Sequence, residues 1–188
     1  SGTVEGGLNA LTPGSMNFVH YTVANSGLPH NTVSVLAADN RNQLWIGTWG
    51  RGFAVMNLIS GKIIPLVIDA KHQHLLNFAG ALAYDPINDG MWLGTNDGLF
   101  FYDMKRRQLI EPFRGCLNVR GCIGSLITRK GKLLMGCVRG MVEVDLKSRP
   151  HGKGDFAVTY HQYKLDNPKS GVFDKILSFC QAKDGKIW

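Results

Sequence analysis

The stretch "QLWIGTWGRGFAVMN", residues 43–57, recurs as "GMWLGTNDGLFFYD" at 90–103 and, more loosely, as "KLLMGCVRGMVEVD" at 132–145. Each copy is a short apolar run, a turn and a second apolar run, the pattern of two antiparallel strands. A pattern used once can be a site, whereas a pattern used repeatedly is architecture. Anchored on a shared glycine, the copies place Gly47, Gly94 and Gly136 at spacings of 47 and 42 residues. Both ends of the chain extend the series. Gly2-Thr3 followed by "VEGGLNAL" matches Gly47-Thr48 followed by "WGRGFAVM", and "KDGKIW" at 183–188 matches "NRNQLW" at 40–45. The resulting period of 42 to 54 residues suits propeller blades and some helical solenoids.

No segment carries apolar residues at i, i+3, i+4 and i+7 through two turns, which sets the solenoids aside. Each unit divides instead into four β-rich runs separated by turn residues. They are "TVSVLAAD", "QLWIGT", "GFAVMN" and "KIIPLVI" in one unit, and "AGALAYD", "MWLGT", "GLFFYD" and "QLIEPF" in the next. A third unit reads "GSLITR", "KLLMG", "GMVEVD" and "FAVTYHQY". Four antiparallel strands per unit of this length describe one blade of an all-β propeller. The reading divides the chain into a partial blade at 1–27, blades at 28–69, 70–113 and 114–166, and a partial blade at 167–188. That is four blades' worth of strands. Three arrangements fit: a closed four-bladed ring, a segment of a larger propeller, or two chains completing each other. The segment is the favoured one.

The repeated residues have structural work in this picture. Trp45, Trp92 and Trp188 share one blade position, where a large ring fills the space between sheets, and Leu134 replaces the ring in the third copy. Gly47, Gly94 and Gly136 suit a strand interior approached closely by a neighbour. Gly52, Gly98 and Gly140 follow the second-to-third-strand turn and are expected at positive φ. The loops "DNRNQ", "DPINDG", "RKGK" and "KDGK" supply turn chemistry between first and second strands.

Hydrophobic residues at 44% and charged residues at 19% form the balance of a folded domain, and 188 residues are enough for a substantial core. No run nears the roughly 18 apolar residues of a membrane span. The net charge of +7 allows a polyanionic partner or simply a solvated basic surface. Nucleic-acid binding would rest on that charge alone, without a recognition helix or a basic groove interleaved with aromatics. The four cysteines form no CxxC pair and no clustered His/Cys spacing, so neither zinc nor any other metal or cofactor is expected. A Cys116–Cys122 bridge across one loop is an option, and Cys137 and Cys180 read as buried thiols in strands.

A strand ending in Asp, then "LWIGT", a turn, "GL" and an aromatic strand resembles the two-component regulator propeller repeat. Residues 18–53, "FVHYTVANSGLPHNTVSVLAADNRNQLWIGTWGRGF", carry the whole phrase, and "NPKSGVFDKILSFCQAKDGKIW" at 167–188 carries it again. The third copy departs from it at the tryptophan and the threonine. The resemblance implies the periplasmic sensor half of a Bacteroides-type hybrid two-component system, binding a carbohydrate-derived signal to regulate glycan-utilisation genes. It implies as partners further blades, a β-sandwich and histidine kinase modules of a parent protein, and an option of homodimerisation. The chain itself is read as non-catalytic. His20 and His161 are read as half-buried structural histidines.

In such a propeller the second-to-third-strand turns and the blade-to-blade connections share one face. This nominates Trp49, Arg51, Asn96, Asp97, Arg139 and His30 as contacts for an oligosaccharide, neutral or acidic. A tryptophan face takes sugar C–H surface, and forked donors take hydroxyls or anionic groups. Counted by loop, this face holds seven Lys and Arg, among them Lys71, Arg114, Arg120, Lys164 and Lys169, and the opposite face holds more. The charge is therefore not focused on the candidate face. Two other classes compete. A propeller glycosidase or lyase would need convergent carboxylates, and Glu5, Asp69, Asp97 and Asp166 are scattered. A protein-interaction scaffold of the WD type would carry Gly-His and Trp-Asp marks, which are missing.

Overall fold

A computed structural model describes residues 1–12, 14–113, 119–138, 140–149, 156–162 and 176–188. Strands β1 (Leu8–Leu11) and β2 (Phe18–Tyr21) pair as a two-stranded sheet. Three four-stranded antiparallel sheets follow, each in sequential strand order. The first full blade holds β3 (Val33–Ala38), β4 (Gln43–Thr48), β5 (Phe53–Asn57) and β6 (Ile63–Pro65). The second holds β7 (Ala79–Asp85), β8 (Gly90–Thr95), β9 (Leu99–Asp103) and β10 (Gln108–Ile110). The third holds β11 (Ile123–Ile127), β12 (Lys132–Cys137), β13 (Gly140–Asp145) and β14 (Ala157–Gln162). Near the C-terminus, Cys180 and Trp188 exchange backbone hydrogen bonds of 2.9 Å across a hairpin. The remaining residues of the 167–188 blade, 167–175, lie outside the described residues, as does Cys116.

The apolar runs are nearly continuous in β4, β8, β9 and β12 because both faces of these middle strands are covered. Alternation then sends neighbouring side chains to different seams. Ile46 and Met56 pack toward β1 and β2 with Leu8 and Leu28. Trp45 and Phe53 point the other way, joining Met91, Leu93 and Tyr102 of the second blade. From that blade Trp92 and Phe101 turn to meet Leu133, Met135 and Phe156 of the third. The core is therefore a series of layers between sheets. Trp45 meets Tyr102 at 5.7 Å between ring centroids, and Trp92 meets Phe156 at 4.7 Å, so both tryptophans span a seam.

A feature hidden in the one-dimensional pattern fixes the inner strands. Each carries a β-bulge near its start, between Val33 and Val35 and between Ala79 and Ala81 opposite the Thr-Gly step of the second strand, and one pair further along, between Ile123 and Ser125, in the third blade. The extra residues meet the next blade: Ser34 and Gly80 face the start of its inner strand, and Gly124 faces the Leu177–Ser178 backbone. Ser34 Oγ donates to Ala79 O at 2.8 Å, and a Cβ on Gly80 would lie 2.1 Å from Cys122 O. The glycines of the repeated phrase serve the same approach: a Cβ on Gly47 would sit 2.7 Å from that of Ala79, and one on Gly94 3.0 Å from that of Cys122.

Several details depart from the sequence expectation. The outer strands β6 and β10 are three residues each, shorter than their apolar runs. Pro65 closes β6, where the missing N–H is tolerated at a sheet edge. A four-residue helix, α1 (Ala70–Gln73), and a 3-10 turn, His74–Leu76, occupy the connection into β7. Of Gly52 and Gly98 only Gly52 has positive φ, at 75°, because the Asn96-Asp97 turn is one residue shorter than Trp49-Gly50-Arg51. His20 and His161 are exposed, not half-buried: both lie on sheet edges, where His20 meets the Asn9 amide and His161 sits 3.5 Å from Glu143.

Candidate functional site

The second-to-third-strand turns and the connections gather at one end of the inner strands, tied by backbone hydrogen bonds. Trp49 N–H donates to Thr32 O (3.1 Å) and Asn96 N–H to Phe78 O (3.2 Å) within their blades. Gly50 N–H donates to Asn77 O (2.7 Å) and Gly121 N–H to Asn96 O (3.0 Å) between blades. The threonine of the repeat braces each turn from below. Thr48 Oγ1 donates to Gly52 O at 2.7 Å, Thr95 Oγ1 to Gly98 O at 3.2 Å and Thr3 Oγ1 to Gly7 O at 3.0 Å. Turn shape is thus set by buried groups, and the residues between them are left to face outward.

A recess of ≈ 290 Å³ opens at this end, lined by Ser34, Trp49, Phe78, Asn96 and Ile123 with the Ala79–Gly80 backbone. Trp49 and Phe78 are 54% and 45% exposed and joined by an antiparallel backbone bridge, so two exposed aromatic residues border the recess. The exposed Asn96 side-chain amide has no hydrogen-bond partner among the described residues. Among the described residues the lining holds no titratable side chain. It offers stacking surface and hydrogen bonds, which suits binding.

Of the residues nominated from sequence, Trp49 and Asn96 line this recess. His30 and Arg51 flank the Trp49 turn. His30 Nδ1 accepts from Thr32 N–H at 3.0 Å, and the other edge of the ring faces Gly50. Arg51 is exposed, as is Asp97, whose N–H donates to Thr95 Oγ1 (3.1 Å). Arg139 lies outside the described residues, together with Arg114, Lys164, Asn167 and Lys169. Phe78 and Ser34 were not nominated. The signal for Phe78 is in the sequence, since it is an aromatic immediately before an inner strand, where the first blade has Thr32 and the third Cys122.

Two further groups stand apart from this recess. At the outer rim, the first and second full blades leave an opening of ≈ 650 Å³, lined by Arg41, Lys62 and Arg107 in front of Trp45 and Tyr102 and, among the described residues, by no acidic side chain. Arg41 reaches across this rim to pair with Asp89. Between the same blades, His72 on α1 is held by two carboxylates. Its Nδ1 lies 2.6 Å from Asp69 Oδ1 and its Nε2 lies 2.6 Å from Glu111 Oε1. Hydrogen bonding to Asp69, joined by Glu111, raises the His72 pKa above the ordinary 6.5 against the opposing effect of burial. The same bond from His72 lowers Asp69. Among the described residues no group of three or more His, Cys, Asp or Glu is arranged to hold a metal ion. No helix among them is long and apolar enough to cross a membrane.

Residues 27–50 match the two component regulator propeller family. No curated protein matches the sequence. Among solved structures, the chain is similar to the extracellular domain assigned to the hybrid two component system BT4673 of B. thetaiotaomicron, with a TM-score of 0.77 at 20% identity. That match covers 99% of this chain and 24% of the other. The corresponding domain of BT3049 from the same organism gives 0.75 at 18% identity, covering 100% and 23%. The computationally designed Ika4 protein gives 0.53 at 16% identity, covering 84% and 90%. The chain thus spans about a quarter of the natural domains it matches, and its fold is that of a propeller segment.

Proposed function

We propose that this chain is part of the periplasmic, ligand-sensing propeller of a hybrid two-component signalling protein, and that it binds a carbohydrate-derived signal without catalysing a reaction. The observation that carries the reading is the recess bordered by the exposed Trp49 and Phe78 and by the Asn96 amide, which has no hydrogen-bond partner among the described residues. A pyranose presents an apolar C–H face to rings and a rim of hydroxyls to amides, and this lining matches both. The propeller repeat at 27–50 and the likeness to two extracellular sensor domains support the signalling context. Kinase modules, further blades and control of glycan-utilisation genes belong to the parent protein in this reading.

The test is a thermal-shift and titration series of the chain with neutral, uronic and sulfated oligosaccharides at two salt concentrations. A sugar that binds only the folded state raises Tm by mass action. Trp49→Ala is expected to weaken that binding by about tenfold or more, which is about 1.4 kcal/mol. A salt-sensitive response that survives Trp49→Ala but disappears in Arg107→Ala moves the site to the outer rim. Silence across the whole panel removes the carbohydrate reading.

A further inference from the structure

The third blade departs from the repeat at two facing positions at once. Val33 pairs with Thr48 across β3 and β4, and Ala79 pairs with Thr95 across β7 and β8. The same place in the third blade is one step beyond the Ile123–Gly136 pair, where antiparallel register sets Cys122 opposite Cys137. Their sulfurs lie 3.3 Å apart. The two residues are 0% and 1% exposed. The threonine of the other blades braces the adjoining turn through its hydroxyl, but the Cys137 sulfur instead turns to Cys122 and, more distantly, to Met135 O at 3.8 Å. A single cysteine here would read as a small core residue. Two facing cysteines that replace the brace are a different arrangement.

The geometry points to a disulfide between Cys122 and Cys137, formed by thiol–disulfide exchange with an external disulfide oxidant. Directly opposed antiparallel residues have Cα atoms about 4.5–5.5 Å apart, inside the range that a disulfide spans. Closing the sulfurs from 3.3 Å to bonding distance requires roughly 1.3 Å, within reach of side-chain rotation. One thiolate attacks the oxidant, giving a mixed disulfide, and the second thiolate displaces the oxidant's remaining sulfur. Two S–H bonds are lost, one S–S bond forms, and the oxidant's disulfide leaves as two thiols. Because both sulfurs are buried, exchange takes place while the blade is folding or locally open. The bond ties the two inner strands of the third blade. It also anchors the seam, since Cys122 N–H donates to Thr95 O of the second blade at 2.9 Å. This inference does not depend on the sensor reading, because any disulfide oxidant of sufficient potential serves.

The experiment is to refold the chain in a glutathione redox buffer, alkylate the free thiols under denaturing conditions and map tryptic peptides by mass. Cys122 falls in "GCIGSLITR" (121–129), Cys137 in "LLMGCVR" (133–139) and Cys116 in "GCLNVR" (115–120), so each pairing has its own mass. The expected product links the first two, with a loss of about 2 Da on oxidation. Oxidised protein is expected to melt roughly 5–10 °C above reduced protein. The variant Cys122→Ala/Cys137→Thr installs the pair found in the second blade and is expected to fold with a Tm insensitive to reductant. A Cys116–Cys122 link, or four alkylated thiols after refolding with oxidant, overturns the inference. So does a double variant that keeps the redox-dependent Tm.

Discussion

The two seams flanking the second full blade are closed by different chemistry on the same scaffold. Toward the third blade, Trp92 packs against Phe101 and Phe156 at 5.0 and 4.7 Å, and the Arg149 guanidinium lies over both phenylalanine rings at 5.5 and 5.2 Å. Toward the first blade, Trp45 meets one ring, that of Tyr102, and polar ties supplement it: Arg41 to Asp89, and His72 between Asp69 and Glu111. The shared elements are the bulge, the glycine approach and the indole N–H. Trp45 Nε1–H donates to Asp39 at 3.0 Å and Trp92 Nε1–H to Asp85 at 3.3 Å, and each aspartate also caps its own turn. The repeat therefore specifies where blades meet, and the remaining side chains specify how tightly and under which conditions.

The largest effect should come from removing the ring that the aromatic seam is built around. Trp92→Ala is expected to cost about 3–5 kcal/mol, read from denaturant midpoints at unchanged slope. Trp45→Ala should cost less, because its seam opens to the rim recess and its ring meets one other ring where Trp92 meets two; equal losses would erase the distinction between the seams. Next comes the close approach common to both. Gly94→Ala places a methyl 2.9 Å from Ala81 Cβ and 3.0 Å from Cys122 Cβ, and about 1–3 kcal/mol of overpacking is expected, with Gly47→Ala similar.

The polar seam should respond to pH where the aromatic one does not. With a folded pKa raised above 6.5, the His72 contribution is complete below 6.5 and fades as pH rises through the folded value. Tm measured across that interval should fall in the wild type, and this component should vanish in His72→Gln. An unchanged pH profile in the variant would assign the dependence elsewhere. The smallest effect is expected at Arg41–Asp89, whose side chains are 44% and 41% exposed. A double-mutant cycle should return about 0.2–1 kcal/mol, shrinking as salt is raised.

Much of this was legible in one dimension. Strand periodicity, turn residues and a fixed spacing are local properties, so "LWIGT" and its copies disclosed the strands and their order. The spacing also placed Trp49 and Asn96 on the turn face, because turns of successive blades must emerge at the same end of a sheet. Phe78 was readable only as an oddity before a strand, and its pairing with Trp49 was not. The departures of the third copy at Leu134 and Cys137 were visible as substitutions, without their partners.

What the sequence by itself determined is the blade: four antiparallel strands, glycine where a neighbour comes close, aspartate and tryptophan at set positions. Those follow from period-two alternation, turn chemistry and steric room, which act over a few residues. What only the tertiary structure decided are the meetings between distant residues. His72 with Glu111, Trp49 with Phe78 and Cys122 with Cys137 depend on register, on the bulge in each inner strand and on how one sheet seats on the next. A one-residue change in register would send a strand residue such as Cys137 to the opposite face, so no local pattern encodes these meetings.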